Sequence, residues 1–103
     1  MDTDYLTEMA YDIIVRAARV SDTLKAELGA MARHFDSEDE WLRGVQAHLE
    51  EICEDPDEYV EMWDLEDAEA VTAAMISRFA AELRERVDVI LAMPMNRRGP
   101  SPW

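Results

Sequence analysis

The sequence has little cysteine, histidine or glycine, and these shortages exclude several classes of protein. Cys53 is the only cysteine in 103 residues, so no disulfide can form within the chain. One cysteine and two histidines are also too few, at unsuitable spacing, for a structural zinc site. Three glycines provide neither a glycine-rich phosphate loop nor a glycine-flanked serine nucleophile. The composition therefore excludes disulfide-stapled, zinc-finger, P-loop and serine-hydrolase proteins.

The sequence shows no evident targeting peptide or membrane-spanning segment. Its first residues, Met1-Asp2-Thr3-Asp4, are acidic where a secretory or mitochondrial signal is basic. No apolar run approaches the roughly 20 residues that cross a bilayer as a helix. With 49% hydrophobic residues, the composition is nevertheless too apolar for a disordered acidic chain. We expect one folded domain in the cytoplasm.

Negative charge, by contrast, is abundant and concentrated in one third of the chain. The formal net charge is −14, and residues 35–70 carry 15 acidic residues against Arg43 alone, which gives −14 for that segment. Residues 1–34 have a balance of −2 and residues 71–103 a balance of +2. Such a field repels nucleic acid and anionic membranes and attracts basic protein surfaces or cations. The expected partner is a basic protein surface, with no nucleic acid and no membrane.

Apolar residues recur at spacings of three and four, which is typical of amphipathic helices and not of strands. A first helix follows the apolar stripe from Leu6 to Val20. A second helix begins at the cap that Ser21 or Asp22 offers. Gly29 lies inside this second helix and weakens it by about 1 kcal/mol relative to alanine, unless a close helix contact uses the space.

The middle and end of the chain predict further helices. A capping box spanning Ser37 to Glu40 opens the third helix. That helix ends near Glu54, because Pro56 disfavours helical geometry at the preceding residue. A short helical turn is expected over residues 57–63, and a last, long helix over residues 65–92.

The predicted architecture is a small all-α bundle of four to five helices in one domain, residues 1–93. Residues 94–103 contain proline, glycine and arginine without periodicity, and we expect a flexible tail there. In a second interpretation, Arg97, Arg98 and Trp103 fold onto an acidic face as a cationic and aromatic clip. The last helix is apolar around much of its girth, so we also expect a homodimer through it.

Several catalytic and metal-binding arrangements fail at a named position. A calcium loop beginning at Asp55 needs glycine at its sixth position, where this chain has Val60. Neither histidine follows a glutamate by three residues, as the ligands of a di-iron bundle do. His48 lies on an apolar stripe without an identifiable partner, and Cys53 lies among carboxylates that oppose thiolate formation. We therefore expect no cofactor and assign no catalytic residue.

Two carboxylate motifs remain. Residues 50–54 read Glu-Glu-Ile-Cys-Glu, an E-E-x-x-E pattern, and residues 85–88 read Glu-Arg-Val-Asp, an E-x-x-D pattern. On two helices of a small bundle, this order resembles the MazG-like all-α nucleoside triphosphate pyrophosphohydrolases. The resemblance implies a Mg²⁺-dependent enzyme whose metal is held by Glu50, Glu51, Glu54, Glu85 and Asp88. The other interpretation is that the glutamates of the first motif form a solvated helix face.

The acidic third also predicts a docking surface around the proline break. Its residues are acidic or aromatic: Asp55, Asp57, Glu58, Tyr59, Glu61 and Trp63. Carboxylates fixed on a helix can imitate the charges of a nucleic-acid backbone, and aromatic side chains supply apolar anchors. An inhibitor, an immunity protein or a nucleic-acid mimic would use such a surface on a basic partner. The alternative is that the negative charge serves only to keep the protein soluble. We expect a regulatory interaction module, with the Mg²⁺-dependent enzyme as the alternative.

Overall fold

The computed structural model describes residues 1–102 and contains helices but no strand within that range. Its six α-helices are, in chain order, α1 (Glu8–Ala18), α2 (Asp22–Met31), α3 (Glu38–Glu54), α4 (Pro56–Trp63), α5 (Leu65–Glu69) and α6 (Ala73–Leu91). Single 3-10 turns occur at Thr3–Tyr5, Ala32–His34 and Met95–Arg97. The predicted all-α class is confirmed, although the helices number six rather than four or five.

The additional helix arises where the sequence predicted one uninterrupted helix over residues 65–92. Ala70 adopts a left-handed conformation with φ 58°, which ends α5. The N–H groups of Ala70 and Val71 both donate to the carbonyl of Leu65, and this closes the turn. A left-handed non-glycine residue costs about 1–2 kcal/mol. Burial of Leu65 and Val71 on either side of the turn offsets that cost.

A side-chain cap sets the start of α3 where the sequence placed it. Ser37 accepts a hydrogen bond from the N–H of Glu40 at 3.2 Å, so the predicted capping box does open α3. The helix ends at Glu54, as expected. Pro56 then takes the first position of α4, where its missing N–H costs nothing, and Asp55 caps this helix.

The antiparallel pair α3 and α6 forms the centre of the bundle. Gln46 contacts Asp88, while Cys53, farther along α3, contacts the carbonyl of Ser77, earlier on α6. The core between the helices is apolar, and Trp41 is fully buried in it. Its indole N–H donates to the carbonyl of Leu28 on α2 at 3.0 Å, which satisfies the one polar atom of the ring.

Most large apolar side chains of α6 are buried or half-buried against other helices of this chain. The helix packs against α1, α3 and α4. Met75 and Val89 are its exposed large apolar side chains, about half accessible and far apart along the helix. The homodimer expected through this helix stays a prediction.

No helix in the described part of the chain combines the length and the apolar character needed to cross a bilayer.

The segment after α6 returns to the start of α3 and is anchored there by Arg98. This side chain is 2% exposed and lies 2.8 Å from Oε2 of Glu38 and 2.5 Å from Oδ1 of Asp39. Its Nε donates to the carbonyl of Met93 at 3.0 Å. Burial lowers the pKa of Arg98, but the two carboxylates more than compensate and leave it raised above its usual value.

The position of Arg98 agrees with the second interpretation of residues 94–103, which expected this arginine to fold onto an acidic face. That face belongs to the same chain. Arg98 is buried at the start of α3, while residues 94–97 are exposed. The flexible tail expected over residues 94–103 stays a prediction. Arg97 is exposed and takes no part in this contact, and Trp103 lies outside the described residues.

The buried partner of Arg98 also holds the beginning of the chain. Glu38 is 4% exposed and accepts hydrogen bonds from the N–H of Thr7 at 2.6 Å and from its hydroxyl at 3.1 Å. The N–H of Met9, in the first turn of α1, donates to the carbonyl of Arg98 at 3.0 Å. One buried cluster therefore joins the start of α1, the start of α3 and the end of the chain.

Replacing Arg98 by methionine is expected to destabilise the fold by about 3–5 kcal/mol, because it leaves the Glu38 carboxylate buried without its counter-ion. Urea unfolding followed by circular dichroism measures the change. The exposed neighbour provides the control: Arg97→Met should change stability by less than about 0.5 kcal/mol. Adding Glu38→Gln to Arg98→Met should recover part of the loss. Equal effects of the two arginine substitutions would contradict the structure.

Gly29→Ala is expected to stabilise the protein by about 0.5–1 kcal/mol. Gly29 is helical, and a Cβ built on it meets no atom within 4 Å, so no close helix contact uses the space. At Gly44, in contrast, a Cβ would lie 2.3 Å from the ring of Phe35. The same thermal or urea unfolding should therefore show a gain for Gly29→Ala and none for Gly44→Ala.

Candidate functional site

A pocket of about 220 Å³ opens where α3 gives way to α4, beside α2. Four carboxylates line it, from Glu27, Glu51, Asp55 and Glu58. Its apolar walls come from Ile52, Tyr59, Met62 and Trp63. His48 completes the lining. We call this cavity the acidic pocket.

The break between the two helices creates the acidic pocket. Asp55 has φ −144° and ψ 75°, outside helical geometry, so α4 leaves α3 at an angle. The last two turns of α3 supply one side through residues spaced three or four apart, which share a helix face. The first two turns of α4 supply the other side in the same way. Pro56 is therefore the local cause of the cavity.

Three polar groups meet at the inner end of the acidic pocket. The hydroxyl of Tyr59 donates to Oε1 of Glu27, and Nε2 of His48 lies 3.5 Å from the same oxygen. The imidazole and phenol rings contact edge to face, with centroids 6.1 Å apart. A single carboxylate on α2 therefore interacts with α3 and α4 together.

These contacts change how the two rings titrate. The contact with the Glu27 carboxylate raises the pKa of His48 above 6.5 against the opposing effect of burial, and the charge of Glu51 adds to the increase. Burial, and then the hydrogen bond to Glu27, raise the pKa of Tyr59 far above its usual value. Tyr59 is thus a neutral hydrogen-bond donor at any physiological pH.

The structure separates the six residues of the predicted docking surface into two groups. Asp55, Asp57, Glu58 and Glu61 are all exposed, on α4 or at its cap. Trp63, at the last position of α4, is 44% exposed. Tyr59 is only 6% exposed, so its ring is a wall of the acidic pocket and not a projecting anchor.

Sequence reasoning missed two contributors to this site. Glu27 lies on another helix, more than 20 residues away in the chain, and no local pattern connects it to α4. Met62 is 66% exposed beside Trp63. Its position three residues after Tyr59 was a usable signal, because such spacing places both side chains on the pocket side of α4.

Some carboxylates of the acidic third (residues 35–70) form contacts that stabilise the fold. Glu38 and Asp39 bind Arg98, as described above. Glu69 accepts hydrogen bonds from the N–H and hydroxyl of Thr23 at the start of α2. Burial opposes ionisation of Glu69, but these hydrogen bonds prevail and lower its pKa. These carboxylates are not available to a partner, whereas those of α4 are exposed.

The five carboxylates of the two MazG-like motifs do not form one centre. Glu50, Glu51 and Glu54 are exposed on α3, and Glu85 is exposed on α6. Asp88 accepts a hydrogen bond from Gln46. Across residues 1–102, no group of three or more histidine, cysteine, aspartate or glutamate side chains is placed to hold a metal ion. The Mg²⁺-dependent alternative stays a prediction.

Comparisons with protein-family models, with curated protein sequences and with solved structures find no match to this chain. The acidic pocket and α4 are therefore the features of the molecule that indicate a function.

The titration of His48 tests the geometry of the pocket. NMR should give a pKa above 6.5 for His48, and Glu27→Gln should lower it, because the hydrogen-bonding carboxylate charge is lost. Since the folded pKa exceeds the unfolded value, this contribution to stability is fully present below about pH 6.5 and is lost as the pH rises through the folded pKa. His48→Gln should remove that part of the pH dependence. An unchanged His48 pKa in Glu27→Gln would contradict the contact.

Proposed function

We propose that this chain is a cytoplasmic, acidic all-α interaction module that docks on a basic protein surface of a regulatory partner. The docking face consists of α4 and the acidic pocket. The observation that supports the proposal is the coincidence of unneutralised carboxylates, exposed apolar side chains and a concave pocket on one short helix.

The charge on α4 is not neutralised within the chain. Asp57, Glu58 and Glu61 are exposed, and none of them forms an ion pair with another residue of the described range. Neighbouring like charges on a short helix repel one another, which a basic partner would relieve. A fixed negative field of this kind also accelerates association with a basic surface and makes the rate dependent on salt.

The exposed apolar side chains supply the remaining part of an interface. Met62 and Trp63 project beside the carboxylates, and tryptophan is enriched among the residues that dominate binding energy. Methionine adapts its shape to different partners. A purely solubilising surface has no need for either residue at an exposed position.

The acidic pocket fits one long basic side chain of the partner. Its mouth has the carboxylates of Glu51, Asp55 and Glu58, and its wall has the rings of Tyr59 and Trp63. A cation over an aromatic face gains about 0.5–2 kcal/mol. Arginine satisfies these features better than lysine, because its planar guanidinium stacks on rings and binds carboxylates through two N–H groups.

Charge reversal on α4 tests the docking face. The variant Asp57→Lys, Glu58→Lys, Glu61→Lys should bind an octa-arginine peptide at least about tenfold more weakly, because three contacts worth roughly 0.2–1 kcal/mol each become repulsive. Isothermal titration at low salt measures the affinity, which should also fall as salt rises.

The matched control carries the same change in net charge elsewhere. Glu50→Lys, Glu54→Lys, Glu85→Lys alters three exposed glutamates that do not line the acidic pocket. A smaller loss in this control than in the α4 variant supports a localised docking face. Equal losses would mean that the peptide responds to total charge alone, and the proposal would fail.

A further inference from the structure

A second groove has the opposite charge to the acidic pocket. It has a volume of about 280 Å³ and lies between the end of α1 and the middle of α6. Three arginines line it, Arg16 and Arg19 from α1 and its cap, and Arg86 from α6. The chain has only ten basic residues in all, so three in one groove is a local concentration against the net charge of −14.

The arginines of this groove are incompletely neutralised. Nε of Arg16 lies 2.6 Å from Oδ2 of Asp12, and a terminal nitrogen of Arg86 lies 3.7 Å from the same oxygen. Two guanidinium groups therefore share one carboxylate oxygen. Arg19 forms no ion pair within residues 1–102. Glu82 also lines the groove, 3.5 Å from the exposed Arg78. The lining thus contains three arginines and one glutamate, and two of the arginines share Asp12.

Arg86 is held only loosely by the protein itself. Its Nε is buried and has no hydrogen-bond acceptor among the described residues. Its contact with Asp12, at 3.7 Å, is longer than a hydrogen bond. Buried donors in folded proteins are nearly always paired, and an unpaired one is destabilising. An added anion would bring acceptor oxygens and negative charge to this guanidinium.

The rest of the groove is apolar. Val20, Phe79 and Leu83 form its floor, and Phe79 is the aromatic member. A bare inorganic anion would leave this floor in contact with water, whereas a ligand with a hydrocarbon portion would cover it. The carboxylates of Asp12 and Glu82 beside the groove would repel a polyanion more strongly than a monoanion, which favours a monoanion.

We propose that this groove binds a small amphipathic monocarboxylate. The ligand's carboxylate oxygens accept hydrogen bonds from the N–H groups of Arg19 and Arg86. Its hydrocarbon chain lies on Val20, Phe79 and Leu83. The planar fork of arginine matches a carboxylate in a two-point arrangement. This site is separate from the acidic pocket. Its arginines attract an anion locally, although the net charge of the chain is negative.

The probe for this site is hexanoate, titrated into ¹⁵N-labelled protein and followed by NMR. Hexanoate should produce saturable shifts confined to the end of α1 and the middle of α6. Hexanamide, which has the same chain without the charge, should bind at least about fivefold more weakly, as should inorganic phosphate, which lacks the chain. Equal binding of hexanamide would overturn the role of the arginines, and equal binding of phosphate would overturn the role of the floor.

Paired arginine substitutions complete the test. Arg19→Gln should weaken hexanoate binding at least about fivefold, while Arg43→Gln, at an exposed position on α3, should leave it unchanged. Equal effects of the two substitutions would overturn the proposal, as would shifts spread over other basic residues. The charge-reversed α4 variant should still bind hexanoate, so failure of this groove and failure of the docking face are distinguishable.

Discussion

The buried ion pair between Glu38 and Arg98 is the interaction on which the arrangement of the bundle depends. A carboxylate and a guanidinium removed from water are each costly, and the pair is tolerable only when every partner is in place. Here Thr7 supplies two of those partners and Asp39 another. The start of α1, the start of α3 and the end of the chain are therefore fixed together. Since α3 and α6 form the centre, this fixes the frame that carries α4.

The acidic third of the chain consequently contains carboxylates of two kinds. Glu38 and Glu69 are bound inside the fold and stabilise contacts between distant segments. Asp57, Glu58 and Glu61 project from α4 and contact no basic side chain of the described residues. The total charge does not distinguish them, although the first kind is not available to a partner. The proposed docking face is accordingly much smaller than the acidic segment from which it was inferred.

Local patterns predicted local structure, and the contacts that they did not predict join distant residues. The cap at Ser37 and the burial of Trp41 follow from neighbours within one or two turns. The end of α5 at Ala70 depends on packing around it, since alanine itself favours continuing a helix. Arg98 and Glu27 each act on helices remote in sequence. The role of Glu27 in the acidic pocket therefore required the three-dimensional arrangement, whereas Arg98 was already one of the residues expected to fold onto an acidic face.

The span of the Glu38–Arg98 contact has a consequence for synthesis of the chain. The two residues are 60 positions apart, so Glu38 leaves the ribosome well before its counter-ion has been translated. Until then the carboxylate must stay hydrated, which keeps the first turn of α3 out of its final packing and leaves the cap of α1 incomplete. This end of the bundle can therefore close only after α6 and Arg98 have both emerged from the ribosome.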